Sequence, residues 1–316
     1  MLIGISDCLL GTKCRYDGQH KRSRFVTDVL SQYAKFLPFC PEGAMLGTPR
    51  ESMFLARSDK GPRAITQKSG TDQTDKLLSF NHEAIEAISG QELCGFIFKA
   101  KSPSCGLERV KLYTADHQPT DETAQGLFAQ AITEAFPLLP VEEEGRLEDP
   151  WLRENFIMQI FAYQRWLDFE ASGPQMRDLV AFHARHKFLL LGKNEVRYRE
   201  LGRLVANHDK HPLGDLLAEY RLLLLQTIGE KSSLKSTLNQ LQHLYGFVKK
   251  LVDEAEKASI LESIDHFDQR IIPLIVPLKL IELAARKHQV TYLLDQHYLS
   301  PYPQELGLRS DLKSSK

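Results

Sequence analysis

The stretch Lys99-Ala100-Lys101-Ser102-Pro103-Ser104-Cys105-Gly106 follows the apolar run Gly95-Phe96-Ile97-Phe98. A short apolar run closed by Ser, Pro and Gly reads as a buried strand ending in a loop, which puts Cys105 just past a strand's carboxyl end. Cys8 follows Leu2-Ile3-Gly4-Ile5 and Cys40 follows Phe36-Leu37-Pro38-Phe39, so both share that setting. In open α/β sheets ligand sites gather at the carboxyl ends of strands. The pattern predicts that Cys8, Cys40 and Cys105 meet in space and hold something in common.

Outward from that core, residues 1–20 read as a strand and a Gly-rich loop with an Asp17-Gly18 turn. Helices are expected over 23–34, over 71–90 with Thr71 as the cap, and over 121–135. Residues 52–68 read as hairpin-like, 110–113 as a strand and 136–141 as a short buried strand. Strands alternating with helices predict an α/β N-terminal domain, residues 1–143, with a mostly parallel sheet. Residues 142–150 read as a charged, Pro-terminated linker. Beyond it, helical periodicity over 151–170, 174–191, 194–207, 211–228, 231–255, 257–268 and 276–289 predicts an all-α C-terminal domain, residues 151–316. The stretch from 310 to 316 is expected to be a frayed tail.

The chain has 316 residues, 42% hydrophobic and 26% charged, with a net charge of −1. That balance is ordinary for a soluble protein and selects no nucleic-acid partner by bulk charge. No apolar run approaches the roughly 18–20 residues of a membrane span, and no basic leader precedes the first apolar run, so a cytoplasmic location is expected. The five cysteines all precede residue 106. They do not form a secreted disulfide framework, and their clustering favours metal or redox chemistry over buried inert thiols.

The three loop cysteines lack CxxC spacing, which argues against a zinc ribbon. Three thiolates suit an iron–sulfur cluster with one open iron, or a catalytic metal with an open position. Cys14, beside Arg15, is either a fourth ligand or a redox or structural thiol, and Cys94 reads as core. Glu42 stands two residues past Cys40, where a carboxylate can act as general acid or base or can be an ordinary loop residue. Ser102 and Ser104 can donate to a substrate or cap a turn. Arg15, Arg50, Lys99 and Lys101 would make the mouth of the site basic, suiting an anionic or nucleotide substrate, or would be ordinary solvated surface cations.

In the C-terminal half, Phe182-His183-Ala184-Arg185-His186-Lys187 opens a basic segment continuing through Lys193, Arg197, Arg199 and Arg203. His183 and His186 share a helix face, read as part of a phosphate-binding face rather than a metal pair. Gln242-His243-Leu244-Tyr245-Gly246-Phe247-Val248-Lys249-Lys250 interleaves aromatics with cations, a composition that can stack bases and hold phosphates or can form an amphipathic helix with a solvated basic face. Arg185, Lys187, Arg199, Lys249 and Lys250 are the expected nucleic-acid contacts.

Taken together, Ser6-Asp7-Cys8-Leu9-Leu10-Gly11, Cys14-Arg15-Tyr16-Asp17-Gly18, Cys40-Pro41-Glu42 and Lys101-Ser102-Pro103-Ser104-Cys105-Gly106 resemble the thiouracil desulfidase family over residues 1–140. The C-terminal part resembles an uncharacterised helical domain. The two basic stretches, Tyr198-Arg199-Glu200-Leu201-Gly202, Pro273-Leu274-Ile275-Val276-Pro277 and Pro301-Tyr302-Pro303 carry that likeness. The fusion is similar to the bacterial tRNA 4-thiouridine desulfidases. The resemblance implies a [4Fe-4S] cluster on Cys8, Cys40 and Cys105, with the fourth iron free to take a thiocarbonyl sulfur. It implies a non-redox reaction in which water replaces sulfur at carbon and sulfide leaves. Glu42 would manage the water's proton, Ser102 or Ser104 would orient the base, and Lys99, Lys101 and Arg15 would bind substrate. The implied partner is tRNA or a thiolated nucleobase. The rival expectations are a free 2-thiouracil enzyme of the same fold, a non-catalytic iron–sulfur regulatory module that binds nucleic acid, and a protein with inert cysteines.

Overall fold

The structure is a computed structural model that describes residues 1–114 and 116–310. The chain divides into two compact units, Met1–Glu148 and a second beginning at Asp149. In the first, β1 (Leu2–Ser6), β2 (Lys35–Phe39), α1 (Pro41–Leu46), β3 (Met53–Ala56), β4 (Arg63–Thr66), α2 (Thr74–Ser89), β5 (Leu93–Phe98), β6 (Val110–Tyr113), β7 (Pro119–Ala124), α3 (Leu127–Ala135) and β8 (Val141–Glu143) follow in order. One sheet runs β2-β1-β5-β8 and all its pairings are parallel. Its central strands are buried and mostly apolar: Ile3 and Ile5 of β1 and every residue of β5 are buried. Phe39, Phe96, Phe98 and Phe128 form the aromatic core, with Phe96 and Phe98 stacked at 4.2 Å. Gly4 makes room for it, since a Cβ there would meet the Phe96 ring at 2.3 Å.

Because those strands are parallel and adjacent, their carboxyl ends share one edge, and the loops after β1, β2 and β5 emerge side by side. The sequence did not announce a second sheet, ordered β4-β3-β6-β7, in which a parallel β3–β6 pair is flanked by antiparallel partners. The hairpin expected over 52–68 is its β3–β4 pair.

Several local expectations are corrected. Residues 121–124 are strand rather than helix: β7 pairs with β6, and α3 starts at Leu127. The segment 23–34 holds a π-helical turn, Phe25–Val29, and a 3-10 turn, Leu30–Gln32, in place of an α-helix. Gln73, not Thr71, stands at the N-cap of α2. Residues 142 and 143 belong to β8, and the stretch read as a linker carries buried Glu142 and Glu143 plus a 3-10 turn, Arg146–Glu148. Charge suggested solvent there, but Glu142 accepts from Arg146 Nε at 2.6 Å and Glu143 from the Leu107 and Glu108 amides at 2.8 and 3.2 Å.

The second unit is helical among the described residues: α4 (Pro150–Ala171), α5 (Met176–Leu191), α6 (Glu195–Ala206), α7 (Leu213–Gly229), α8 (Leu234–Val248), α9 (Glu254–Asp268), α10 (Ile275–Lys287) and the short α11 (Thr291–Leu294). The Asp149 side chain caps α4 by accepting from the Trp151 and Leu152 amides. The helix expected over 231–255 ends at Val248, because Asp253 starts α9 with a capping box on Glu256. Trp166, Phe182 and Tyr220 pack together at 5.5–6.4 Å in the core. No helix among the described residues is long and apolar enough to cross a membrane. Of the expected tail, residues 311–316 lie outside the described residues.

Candidate active site

The loops after β1, β2 and β5 enclose a cavity of about 220 Å³, lined by Cys8, Cys14, Cys40, Glu42, Ser102, Ser104 and Cys105 among others. Cys8 sits in the 3-10 turn that follows β1. Cys40 stands at the N-cap of α1, where its sulfur accepts from the Gly43 amide at 3.3 Å. Cys105 is fixed through its amide, which donates to Ser102 Oγ at 3.2 Å. The structure therefore brings the three predicted cysteines to one cavity. It adds Cys14, whose thiol lies against both Cys8 and Cys40. Cys94 is core, its thiol donating to the Leu2 carbonyl.

Cys14, Cys40 and Cys105 resist ionisation. Burial pushes Cys105 up to about 12, against hydrogen bonds from Ser6 and Ser104 and with the added repulsion of Glu42 and Cys40. Cys40 is pushed up by its bond with Cys14 and by burial. For Cys14 the Cys40 contact lowers the pKa, but the Cys8 contact, burial and the charge of Cys8 and Asp7 raise it to about 12. Crowded buried thiolates need a cationic partner to be stable, and all-sulfur donors select soft metals and iron–sulfur clusters. The donor set therefore fits a cluster. Among the described residues no group of three or more His, Cys, Asp or Glu is arranged to hold a metal ion.

Glu42 is buried at the cavity wall with both carboxylate oxygens engaged. Oε2 pairs with Arg50 Nη2 at 3.1 Å, while Oε1 accepts from Ser102 Oγ at 3.1 Å and Ser104 Oγ at 2.8 Å. The two serine hydroxyls lie 3.0 Å apart, and Ser104 Oγ is 3.6 Å from Cys105 Sγ. Both serines thus sit on the same carboxylate. Arg50, read from sequence only as a basic lip, is a buried clamp that also donates to the Cys14 and Gly47 carbonyls at 2.9 and 3.0 Å.

The sequence reading also missed the glutamates that hold the Cys105 loop. Glu144 accepts from the Ala100 amide at 2.6 Å and pairs with Lys99 Nζ, while Glu143 caps the Leu107 and Glu108 amides. Gly126 presses against that loop; a Cβ there would meet the Ser104 carbonyl oxygen at 2.6 Å. Lys99 lines the cavity, yet its ammonium is committed to Glu144 rather than offered to a ligand. Lys101 lines the mouth and is exposed, with φ +60°. Arg15 lines it too, lying over the Tyr16 ring and 3.4 Å from Asp17.

The expected nucleic-acid contacts divide. Arg185, Lys249 and Lys250 are exposed, Lys187 reaches over the Phe188 and Phe247 rings, and Arg199 pairs with Glu195 at 2.5 Å. His183 and His186 are not on a phosphate-binding face. His183 bonds Tyr220 Oη at 3.1 Å, and His186 bonds the Phe182 carbonyl at 2.8 Å and Arg165 Nε at 3.3 Å. Lys193 is buried on Asn155 Oδ1 at 2.7 Å. Spacing along α5 identified the shared face correctly but not what packs against it.

Residues 3–144 match the family model of 2-thiouracil desulfurase, and residues 187–303 match a protein family of unknown function, DUF1722. The uncharacterised protein YbgA of Escherichia coli (strain K12) is 25% identical over 157 residues, covering 49% of this chain and 93% of that protein. The uncharacterised protein YbbK of Bacillus subtilis (strain 168) is 30% identical over 113 residues, covering 33% of this chain and 73% of its own length. The solved structure of the [4Fe-4S]-dependent thiouracil desulfidase TudS is 29% identical, covering 46% of this chain and 92% of that one with a TM-score of 0.37. With its strand-end cysteines and its helical extension, the chain belongs to the 2-thiouracil desulfurase family of enzymes, joined here to a DUF1722 region.

Proposed function

We propose that this chain replaces the sulfur of 4-thiouridine in tRNA by oxygen, giving uridine and sulfide, and that it does so with a [4Fe-4S] cluster held by Cys8, Cys40 and Cys105. The observation that carries the reading is the meeting of crowded buried thiols with the Glu42–Ser102–Ser104 network in one cavity. A bound cluster would supply a thiophilic Lewis acid for the thiocarbonyl sulfur. The chain's own residues do the rest. Glu42 Oε1, facing two hydroxyls, takes and returns the proton of the water that adds to the base carbon. Ser102 and Ser104 relay that proton and orient the base. Arg50 keeps Glu42 aimed at them. Atoms balance: C=S and H₂O give C=O and H₂S, with no oxidant or reductant.

The helical second unit supports a macromolecular substrate, since a free base needs only the first unit's cavity. A thiolated base in folded tRNA would have to leave its stack to reach that cavity. The family description favours free 2-thiouracil as the second reading. Iron and acid-labile sulfide are measured first on anaerobically reconstituted protein, with Cys8→Ala, Cys40→Ala and Cys105→Ala as controls. Thiolated tRNA and free 2-thiouracil are then incubated separately and sulfide release is followed. Loss of 4-thiouridine from tRNA supports the proposal. Turnover of free 2-thiouracil alone selects the second reading, and absence of iron after reconstitution rejects both.

A further inference from the structure

We propose that Phe247 and Tyr292 form a stacking platform for an unpaired base of an RNA strand, whose phosphates lie over Lys187, Lys249 and Lys250; this rests on the reading that the substrate is an RNA. Phe247, at the last turn of α8, is 38% exposed, and Tyr292 of α11 is 39% exposed. Their rings stack with centroids 5.4 Å apart and an interplanar angle of 24°. Two large stacked aromatic rings at a surface are a costly use of exposed apolar area unless something covers them, whereas single exposed aliphatics such as Leu222 or Leu283 need no explanation. From beneath, Phe188 of α5 meets Phe247 edge-on at 5.8 Å and holds it in place.

The surroundings select the occupant. Lys187 Nζ stands 5.8 Å from the Phe247 centroid, so a cation already lies against the platform. Lys250 lies one turn past Phe247 and Lys249 caps the same helix, both exposed, with His243 one turn before. Among the described residues Lys187, Lys249 and Lys250 enter no ion pair, whereas Arg199, Arg197, Lys279, Arg286 and Lys287 are all neutralised by glutamates. Unneutralised cations around a two-ring stack match the composition of single-stranded nucleic-acid grooves, where bases stack on aromatics and phosphates on lysines. The platform combines residues from three helices that the sequence separates by more than a hundred positions, so the Phe247–Lys250 stretch and Lys187 were visible in the sequence and the pairing of Phe247 with Tyr292 was not.

The test uses the full chain, reconstituted anaerobically, with an unmodified tRNA transcript and fluorescence anisotropy. Phe247→Ala with Tyr292→Ala is expected to weaken binding by about 5- to 150-fold, the range of one lost base stack. Lys249→Gln with Lys250→Gln is expected to lower the salt slope by about one for each phosphate left without its lysine. The denaturant unfolding transition read by Trp151 and Trp166, both in α4, should not change in either variant, which reports an intact helical unit. As a variant that keeps an aromatic ring, Phe247→Trp should bind like the parent and show its added emission quenched by tRNA. Parent-like binding by the double alanine variant, or emission from the introduced tryptophan that saturating tRNA leaves unquenched, overturns the platform while leaving the tRNA reading intact. Failure of the parent chain to bind tRNA overturns both.

Discussion

Both units of this protein bury ionisable side chains, and they use them in opposite ways. In the helical unit Glu154 pairs with Arg309 at 2.8 Å and accepts from Tyr302 Oη at 3.1 Å, while Arg309 Nη1 donates to the Tyr298 carbonyl at 2.7 Å. Lys193 closes on Asn155, His183 on Tyr220 and His186 on Arg165. Burial pushes Lys193 down to about 7 and His183 down to about 4. The cavity beside Glu154, Asn155 and Arg309 is about 20 Å³, room for a single water. In the first unit the same kinds of group, Glu42 and Arg50, border about 220 Å³ shared with the cysteines. Buried charge and a perturbed pKa therefore do not by themselves mark a reactive centre. What marks it is open volume into which several reactive groups converge from different strand ends.

That contrast can be broken most directly at Glu42. Glu42→Gln keeps the shape and removes the proton acceptor, so sulfide release should fall by about two to four orders of magnitude. Iron content should hold. A variant that turns over within a few fold of the parent would make Glu42 a structural carboxylate of the Glu154 kind. The counterpart is Arg309→Met, which strands Glu154 in the core and should cost about 3–5 kcal/mol of stability. Both tryptophans of the chain, Trp151 and Trp166, lie in the helical unit, so their fluorescence during denaturant unfolding reads this loss. The iron proposed for the first unit should be retained as in the parent.

Smaller effects sharpen the comparison. Gly126→Ala drives a Cβ into the Ser104–Gly106 backbone, with an expected cost of about 1–3 kcal/mol. Its signature is weakened iron retention with an unchanged tryptophan transition, because the displaced loop carries Cys105. Acid acts more gradually, one pH unit at a time. His183 and His297, both pushed down to about 4 by burial, stay neutral in the fold while the unfolded chain takes up protons near 6.5. Unfolding then binds more protons between those values. Stability is complete above pH 6.5 and should fall by about 1.4 kcal/mol per pH unit per histidine down to about pH 4. Tryptophan-detected unfolding across that window checks it, and a flat profile would mean that these rings are charged in the fold.

Much of the site could be read in the chain because its signals are local. An apolar run, then Cys with Gly or Pro, states a strand end and a loop within about ten residues, and this occurs before Cys8, Cys40 and Cys105. Parallel pairing of β1, β2 and β5 then places those ends on one edge. The helical character of the second half was equally plain from its 3.6-residue period. Residues whose meaning depends on a distant partner were not readable. Residues 142–144 looked like the start of a charged linker, yet Glu142 and Glu143 belong to the edge strand β8, and the carboxylates of Glu143 and Glu144 brace the Cys105 loop. Arg50 looked like a surface cation and proved to be the clamp on Glu42. The polar segment 121–124 became strand because β6 offered it a ladder.

The sequence by itself determined the fold class of each half, the strand-end cysteines and the carboxylate beside one of them, since periodicity and loop chemistry act over a few residues. Only the tertiary structure decided which polar groups close on one another and which face a shared space. It drew Cys14 against Cys8 and Cys40, set both serines on Glu42, sent His183 and His186 into the core and paired Phe247 with Tyr292. The physical reason is that helical spacing fixes which residues share a face, but the free energy of a buried polar or aromatic group is set by what packs against that face. That partner comes from elsewhere in the chain.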